Sequence, residues 1–422
     1  MVVLSGIIRS CLCPIAGGNW NNAALSGVRT RNLNNTRTNS NTNVGGRDCD
    51  FTSSQLNSLW SDRDMVSGFL AKYFKTSIVV GDKAEALKEL CLKRRGNLYE
   101  EIISSENMFQ AFKDAKSSKR NNKTVYEFEL NFGKEMGDLL LELQKGTYKP
   151  KPYNKFYVYE PKKRVIYAPA FRDTVVQHAL YRVVYPIFER TFITQSHGCR
   201  RDHGCHSASD YLLKKMRACD GEEYFLQLDI KKYFYSFDRS VLRKLLERKI
   251  KDKRVVDLLM MFADFEGDRG VPIGNLLSQL YGLIYLNPLD HYVKRTLKVK
   301  NYVRYVDDFV LIGLSYEQAN LYLEQIKLFL KNELGLELSK ATRAKIKKGI
   351  NFVGYRTWQS HRLVRKYAVH KFRRACVRGK VESVVSMIGH AKDTQTIPHY
   401  KQILKEFGMT EKLPKKLQRS MV

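Results

Sequence analysis

The sequence predicts an α+β fold, because stretches with strand periodicity alternate with stretches of helical periodicity. In 225–230, apolar side chains alternate up to an acid, and 301–313 contains two apolar half-strands that meet at Asp307 and Asp308. After a turn-rich break, residues 156–166 alternate around a basic tip and predict a hairpin. The helical patterns cover residues 104–116, 127–143, 173–188 and 317–334.

The composition indicates a polyanionic partner. The 422 residues include 73 Lys+Arg and 43 Asp+Glu, so the net charge is +30, and basic side chains that bind phosphates release condensed counterions. A membrane surface is the rival partner, but we expect no membrane association, because no segment reaches the roughly 18 apolar residues of a spanning helix. Residues 361–422 hold 15 Lys+Arg and four Asp+Glu, which is typical of an element that faces nucleic acid.

The cysteines predict a reducing compartment, and we expect a bacterial or phage protein of the cytoplasm. The eight cysteines are scattered without a disulfide-like framework, and no basic segment precedes the short apolar run at the start, as a cleaved signal would require. One cluster could suggest zinc, but its spacing is not that of a zinc finger, so we expect no zinc there. The cluster consists of His197, Cys199, His203, Cys205 and His206.

The first 55 residues differ from the rest of the chain. Nine of the 25 residues from Asn19 to Asn43 are asparagine, and large apolar side chains are few. Taken alone, such a stretch cannot bury a core, so it predicts a disordered segment. Globular patterning begins near Asn97.

Three acids at strand ends carry the chemical signal. Strands that look buried rarely hold carboxylates such as Asp229, Asp307 and Asp308 unless these are paired or bind metal. Carboxylate oxygens suit Mg²⁺, and two Mg²⁺ ions about 3.5–4 Å apart can activate a 3′-hydroxyl and stabilise a leaving pyrophosphate. Taken alone, the Asp-Asp pair could also mark a hairpin turn, where Asp is common.

Five motifs, in matching order and spacing over about residues 97–370, make the chain resemble reverse transcriptases. The resemblance implies an RNA-directed DNA polymerase with a right-hand fold: fingers, a palm with an antiparallel sheet, and a short helical thumb. It also sets the turn-only interpretation of the acids aside. The motifs are the fingers motif at 161–180, the motif that follows it at 196–208, LDIKKYF at 228–234, YVDD at 305–308 and the primer-gripping GINFVGY at 349–355.

The resemblance implies a division of the chain into subdomains. The expected bounds are a leader at 1–55, a linker at 56–96, fingers at 97–224, palm at 225–358 and thumb at 359–422. The implied partners are template RNA, a DNA primer or cDNA, deoxynucleoside triphosphates and a small basic accessory protein.

The resemblance also implies roles for single residues. Asp229, Asp307 and Asp308 are the expected catalytic residues, and with Ile230 they would hold two Mg²⁺ ions. Lys340 is a candidate general acid, although its segment departs by about one residue from the family pattern. The primer grip would use Phe352, Gly354 and Tyr355.

Several residues are expected to bind the incoming nucleotide. Phe234 would exclude a ribose 2′-hydroxyl, or else be a core phenylalanine. Lys163, Arg164 and Arg172 would compensate the triphosphate charge, or else form a solvated hairpin tip. Arg172 is preferred, because it precedes the helix expected from about residue 173. The remaining expected nucleotide-binding residues are Ile273, Gly274 and Gln279.

The loop GVPIGNLLSQ at 270–279 narrows the resemblance to one group of reverse transcriptases. Enzymes of group II introns usually have glutamine where this chain has Ile273, and proline where it has Gln279. The pattern is similar to reverse transcriptases of diversity-generating retroelements, which copy a template RNA with frequent errors opposite adenine and rewrite a variable region of a target gene. A packing role for Ile273 is the alternative. The leader resembles the variable segment of such targets, so residues from about 14 to 51 could be a translated template repeat rather than a plain disordered tail.

Two other functions remain open. A reverse transcriptase of group II intron or retron type is the nearest alternative. A nucleic-acid-binding protein without catalysis is the alternative of another class, and it would predict a broken carboxylate set, whereas all three acids are present.

Overall fold

The computed structural model describes residues 94–421 except 118, 120, 121 and 160–162. The predictions for the leader, for most of the linker and for the tip of the 156–166 hairpin lie outside the described residues. Among the helices that are described, none is long and apolar enough to cross a membrane.

A helical layer forms the amino-terminal part of the described chain. Buried side chains such as Ile102, Met108 and Leu139 recur at helical spacing and join one large core. The layer contains α1 (Leu98–Ile103), α2 (Ser105–Lys116), α3 (Lys123–Leu130), α4 (Phe132–Gln144) and α5 (Phe171–Glu189).

The helical pattern over 127–143 is confirmed, but the chain forms two helices there, which meet at Asn131. Asn131 leaves helical geometry, with φ −105° and ψ 25°, and its side-chain amide donates to the Glu127 carbonyl at 3.2 Å. Asparagine competes for backbone hydrogen bonds in this way and so ends helices. The apolar period continues across the break, since Phe128 and Met136 both reach the core. Periodicity alone therefore could not reveal it.

The predicted basic hairpin is confirmed. Strands β1 (Asn154–Val158) and β2 (Arg164–Ala168) pair antiparallel, with Asn154 opposite Ala168 and Val158 opposite Arg164.

The central sheet has four antiparallel strands: β3 (Tyr224–Ile230), β4 (Asn301–Tyr305), β5 (Asp308–Leu314) and β6 (Leu338–Lys345), in the order β4-β5-β3-β6. Its two faces join different cores, because successive side chains alternate. Leu228 and Phe309 point into the larger core, whereas Phe225 and Val310 join the core shared with the carboxy-terminal helices. The strands predicted at 225–230 and on either side of 307–308 are confirmed.

Helices cover both faces of this sheet. The predicted helix 317–334 is confirmed, with a start at Tyr316, where Ser315 and Gln318 form a capping box. The helices of the sheet region are α6 (Cys205–Arg217), α7 (Arg239–Glu247), α8 (Lys253–Ala263), α9 (Leu276–His291, continued by a π turn at Tyr292–Thr296) and α10 (Tyr316–Leu334), with short 3₁₀ turns at Tyr233–Tyr235 and Ile346–Lys348.

The carboxy-terminal part pairs a small antiparallel sheet with a helical bundle, as the predicted short thumb requires. The stacked rings of Phe372 and Tyr400, 3.7 Å apart, lie at the centre of the bundle. The elements are β7 (Ile350–Phe352), β8 (Tyr355–Thr357), β9 (Arg362–Val364), α11 (Lys366–Val377), α12 (Val381–Ala391), α13 (Ile397–Glu406) and α14 (Lys415–Met421).

Candidate active site

The three predicted acids come together at one end of the central sheet. Asp229 is the penultimate residue of β3 and lies directly opposite Asp308, the first residue of β5. Side chains of opposite residues in an antiparallel pair lie on the same face with Cβ atoms about 4.5–5.5 Å apart. Asp307 lies in the turn between β4 and β5. The fold therefore concentrates three carboxylates at one point.

The turn that carries Asp307 has a strained backbone. Val306 has φ +58°, a left-handed conformation that a β-branched residue rarely adopts. Gly198 lies against this turn so closely that an added Cβ would be 2.6 Å from Val306 Cγ2 and 2.7 Å from its backbone nitrogen. The predicted motif at 196–208 therefore packs directly against the turn that carries Asp307.

A buried ion pair between Arg304 and Asp290 stabilises the same turn. Arg304 and Asp290 are both 0% exposed, and the Arg304 Nε donates to Asp290 Oδ1 at 2.7 Å while Nη2 donates to Oδ2 at 2.5 Å. The Arg304 Nη1 donates to the Val306 carbonyl at 2.9 Å, and the Tyr302 hydroxyl donates to Asp290 at 2.7 Å. All three nitrogens of Arg304 and both carboxylate oxygens of Asp290 form hydrogen bonds, so the pair fixes the turn that carries Asp307.

Burial and mutual repulsion perturb two of the acids. Burial, followed by the negative charge of Asp229, raises the pKa of Asp307 to about 6. Burial also raises the pKa of Asp308 to about 7, against an opposing hydrogen bond from Gln227 and together with the charges of Asp229 and Asp307. Carboxylates crowded in this way gain from a divalent cation, and their hard oxygen atoms suit Mg²⁺.

Gln227 links this cluster to the neighbouring hairpin. Its amide nitrogen donates to Asp308 Oδ1 at 2.9 Å and to the Asn351 carbonyl at 2.8 Å. Sequence reasoning missed it, because it reads only as the inward polar residue of an apolar strand. The two bonds link the predicted primer-gripping segment to Asp308, one of the three acids predicted to be catalytic.

Arg164 is the basic residue of the β1–β2 hairpin whose charge reaches Asp307. Its positive charge lowers the pKa of Asp307, and its buried Nη1 atom has no hydrogen-bond partner among the described residues. Burial lowers the pKa of Arg164 itself. An unpaired buried guanidinium donor facing a carboxylate cluster is suited to an anionic ligand.

The other two predicted triphosphate ligands are placed differently. The helix begins at Phe171, so Arg172 lies in its first turn rather than before it, and there Arg172 forms an ion pair with Glu142 and lies over the Tyr148 ring. Exposed Lys163 lies 4.5 Å from the centre of the Tyr157 ring. The expectation that Arg172 is the strongest of the three candidates is therefore not supported by its surroundings.

The 270–279 loop packs against the strand that carries Arg164. The Tyr167 amide donates to the Ile273 carbonyl at 2.7 Å, and an added Cβ on Gly274 would lie 2.7 Å from Ile166. Ile273 is 3% exposed and belongs to the larger core, while Gln279 is half-buried on α9. This packing is compatible with the alternative role of Ile273 as a core residue.

Phe234 also lies in the larger core. It is 6% exposed, and an added Cβ on Gly282 would lie 3.3 Å from its ring. Exposed Tyr235 follows it. Partial burial raises the pKa of Tyr235, against the opposing positive charge of Arg164. Sequence reasoning did not single out Tyr235, although it is the exposed aromatic of this turn.

Lys340 lies directly across from Asp229 on β6, and the Ser339 hydroxyl in the same bulge hydrogen-bonds to the Asp229 carboxylate. Lys340, Asp229 and Asp308 line a groove of about 1140 Å³ whose far side is formed by the carboxy-terminal part, including Arg365. The register therefore places Lys340 beside the acids despite the imperfect family pattern.

The predicted primer grip is a tight hairpin between β7 and β8. Its turn residues Val353 and Gly354 have φ +43° and +91°, and Phe352 and Tyr355 are fully buried. The Arg365 amide donates to the Gly354 carbonyl at 3.1 Å, and the Arg365 charge lowers the pKa of Asp308. Sequence reasoning missed Arg365, whose proximity depends on the fold of β9.

The family model for reverse transcriptase (RNA-dependent DNA polymerase) matches residues 149–357. This range includes every predicted catalytic and nucleotide-binding residue. The predicted right-hand polymerase fold, with its antiparallel sheet, is confirmed by this match and by the observed topology.

Two curated bacterial proteins resemble the chain. It is 27% identical over 276 residues to the group II intron-encoded protein LtrA of Lactococcus lactis subsp. cremoris, covering 48% of this chain and 46% of LtrA. It is 28% identical over 293 residues to protein YkfC of Escherichia coli, covering 58% of this chain and 74% of YkfC. The chain thus spans less than half the length of LtrA.

Among solved structures, one that resembles the chain is telomerase from Candida albicans with a fragment of telomeric RNA. The TM-score is 0.39 at 14% identity, and the match covers 63% of this chain and 57% of that one.

Proposed function

We propose that this chain, whose residues 149–357 form a reverse transcriptase domain with group II intron-encoded relatives, is an RNA-directed DNA polymerase. The observation that carries the proposal is the pairing of Asp229 with Asp308 across β3 and β5, beside Asp307. A chain that only binds RNA would have no use for three crowded carboxylates, in which burial and then the charge of Asp229 raise the pKa of Asp307 and Asp308.

In the proposed site, Asp229, Asp307, Asp308 and the main-chain carbonyl of Ile230 would hold two Mg²⁺ ions. Bound there, the ions would supply activation of the primer 3′-hydroxyl and charge compensation for the leaving pyrophosphate. The fit rests on the crowded carboxylates, whose repulsion divalent cations would relieve.

The protein groups would bind and orient the reactants. Arg164 would donate its unpaired Nη1 to a phosphate of the incoming nucleotide. Lys340, exposed on the strand opposite Asp229, would donate a proton to the leaving pyrophosphate. Phe234 would exclude the ribose 2′-hydroxyl, and the Phe352–Tyr355 hairpin would position the primer end through the link from Gln227.

The proposed subdomains follow the expected bounds. The fingers would end at 224, just where β3 begins, the palm would extend over 225–358 and the thumb over 359–422. Template RNA and primer would occupy the groove between the central sheet and the thumb, and the basic residues 361–422 would contact their phosphates.

A finer proposal is that the enzyme belongs to a diversity-generating retroelement and copies a template repeat with errors opposite adenine. Ile273 and Gln279 support it, because an apolar side chain at 273 removes an amide that could hydrogen-bond near the nascent pair. A small basic accessory protein and a translated template repeat in the leader belong to the same proposal. The similarity to LtrA favours the second candidate, an enzyme of group II intron type.

One experiment tests both levels of the proposal. The protein extends a DNA primer on a defined RNA, and the cDNA is sequenced. We expect extension with misincorporation concentrated opposite adenine, and we expect Ile273→Gln to reduce that error. A loss of one or two polar contacts corresponds to about one or two orders of magnitude in error.

The outcomes separate the alternatives. RNA binding without extension would favour the non-catalytic protein. Faithful copying of adenine would favour the group II intron type. Because residue 273 is buried, thermal unfolding of Ile273→Gln has to show that the variant folds.

A further inference from the structure

We propose that Cys205, His206 and His390 form a zinc site that ties the thumb to α6, at the end of the fingers. Each residue offers one ligand atom, and these atoms all lie within 4.8 Å of one another. Cys205 and His206 open α6, whereas His390 lies in the last turn of α12. The residues thus converge from distant parts of the sequence.

The donor set suits zinc. One thiolate and two imidazoles are borderline-soft ligands that Zn²⁺ binds tetrahedrally, with ligand atoms about 3.3–3.6 Å apart. Closing the cluster from its present spacing requires side-chain movements of at most about 1.5 Å. Cys205 is 5% and His390 8% exposed, while His206 is half-buried, so two ligands lie inside the protein and the fourth tetrahedral position would be left to a water molecule.

Zinc binding at this site would be a proton exchange. The Cys205 thiol would release its proton to solvent as the thiolate binds Zn²⁺, and the two histidines would bind through a neutral ring nitrogen. No atom changes its oxidation state.

Tyr355 arranges the two histidines. Its hydroxyl lies 3.0 Å from His390 Nδ1 and 3.3 Å from His206 Nδ1, and it donates to the His390 carbonyl at 2.7 Å. The Tyr355 and His390 rings stack at 4.4 Å. Groups that orient metal-bound histidines in this way are a regular part of zinc sites.

The site shares Cys205 and His206 with the cluster at which the sequence predicts no zinc, but it leaves out the other members of that cluster and adds His390. The His197 Nδ1 atom lies 3.0 Å from the Ser207 hydroxyl oxygen. The His203 Nδ1 atom lies 2.9 Å from the Arg201 carbonyl oxygen. The third ligand comes from the thumb, which sequence spacing could not reveal. Among the described residues, Cys205, His206 and His390 are the group of this kind that the structure brings together.

The proposed zinc would fix the primer-gripping hairpin. Tyr355 belongs to β8, which lies between α6 and the thumb, and all three share one core. A metal joined to α6 and α12 would hold that strand at a fixed distance from the catalytic acids. The inference does not depend on polymerase activity.

Metal content tests the proposal directly. The full chain, expressed with zinc and purified without metal-affinity resin, is assayed by inductively coupled plasma mass spectrometry. We expect about one zinc per chain, retained in Asp308→Asn, which alters the proposed magnesium site. The variants Cys205→Ser and His390→Gln should lose the zinc. The variants Cys219→Ser and His203→Ala, which alter residues outside the proposed zinc site, should keep it.

Cobalt gives a second readout on the unaltered protein. After zinc is removed by a chelator, Co²⁺ should restore thermal stability and produce a thiolate-to-cobalt charge-transfer band that Cys205→Ser lacks. Wild-type protein without bound zinc and without this band would overturn the proposal, even if the variants fail to fold. Zinc that persists at full level in folded Cys205→Ser and His390→Gln would overturn it as well.

Discussion

At the scale of single residues, the site is defined by carboxylates that are buried and that also repel one another. The pKa values of Asp307 and Asp308, about 6 and about 7, lie above the ordinary value of 3.8. The folded chain therefore binds more protons than the unfolded chain between roughly pH 4 and pH 7, and without metal its stability falls as the pH rises through this window.

Magnesium should reverse this loss, because it binds only the deprotonated acids. We predict that Mg²⁺ raises the unfolding temperature at pH 8 and has little effect at pH 5. The measurement is thermal unfolding with and without Mg²⁺ at both pH values. The same shift at pH 5 as at pH 8, or an unchanged shift in Asp308→Asn, would contradict the assignment.

Arg164 offers a prediction about nucleotide binding. Its Nη1 is buried without a partner among the described residues, while its charge acts on Asp307. We predict that Arg164→Ala raises the KM for deoxynucleoside triphosphates by about tenfold or more, which corresponds to one charge-assisted hydrogen bond. Steady-state kinetics measure this, with Lys163→Ala as the exposed control that should change KM far less.

At the scale of elements, the turn between β4 and β5 depends on its neighbours. Val306 stays in a left-handed conformation because Arg304 binds its carbonyl and Gly198 leaves no room for another arrangement. Strain of this kind costs about 1–3 kcal/mol and persists only where surrounding structure fixes it.

Gly198→Ala should therefore displace the catalytic turn. The new Cβ would meet Val306 at 2.6–2.7 Å, and overpacking of this kind costs about 1–3 kcal/mol. We expect primer extension to fall at least tenfold while the chain stays folded, as judged by circular dichroism. Gly133→Ala, where nothing lies within 4 Å of the added atom, is the matched control, and equal activity of the two variants would refute this role.

The elements also show what a sequence can and cannot predict. The apolar runs of 225–230 and 301–313 located β3 and the two half-strands around Asp307, because both faces of the sheet are buried. The sequence pattern could not show that Arg304, a charged residue within an apolar strand, forms an ion pair with Asp290 of α9. Similarly, Lys340 reaches Asp229 through a bulged register that no local pattern encodes.

At the scale of the whole molecule, the net charge of +30 fits a chain that binds a nucleic acid duplex. The residues of the proposed polymerase site and those that support it lie within 149–365, outside the leader. A chain that begins near Lys93 should fold and extend primers as well as the full chain. Soluble yield, thermal unfolding and extension rate measure this, and loss of active protein would show that the leader is structural.

The central claim is that Asp229, Asp307 and Asp308 form one metal-dependent polymerase centre. Its most direct measurement is single-nucleotide extension of a DNA primer on RNA with Mg²⁺ by Asp307→Asn, compared with Asp138→Asn, an exposed acid on α4. The account predicts that Asp307→Asn binds the template like the wild type yet fails to extend, because an amide cannot replace the charge of a metal-bound carboxylate. Asp138→Asn should extend normally. Appreciable extension by Asp307→Asn would contradict the account.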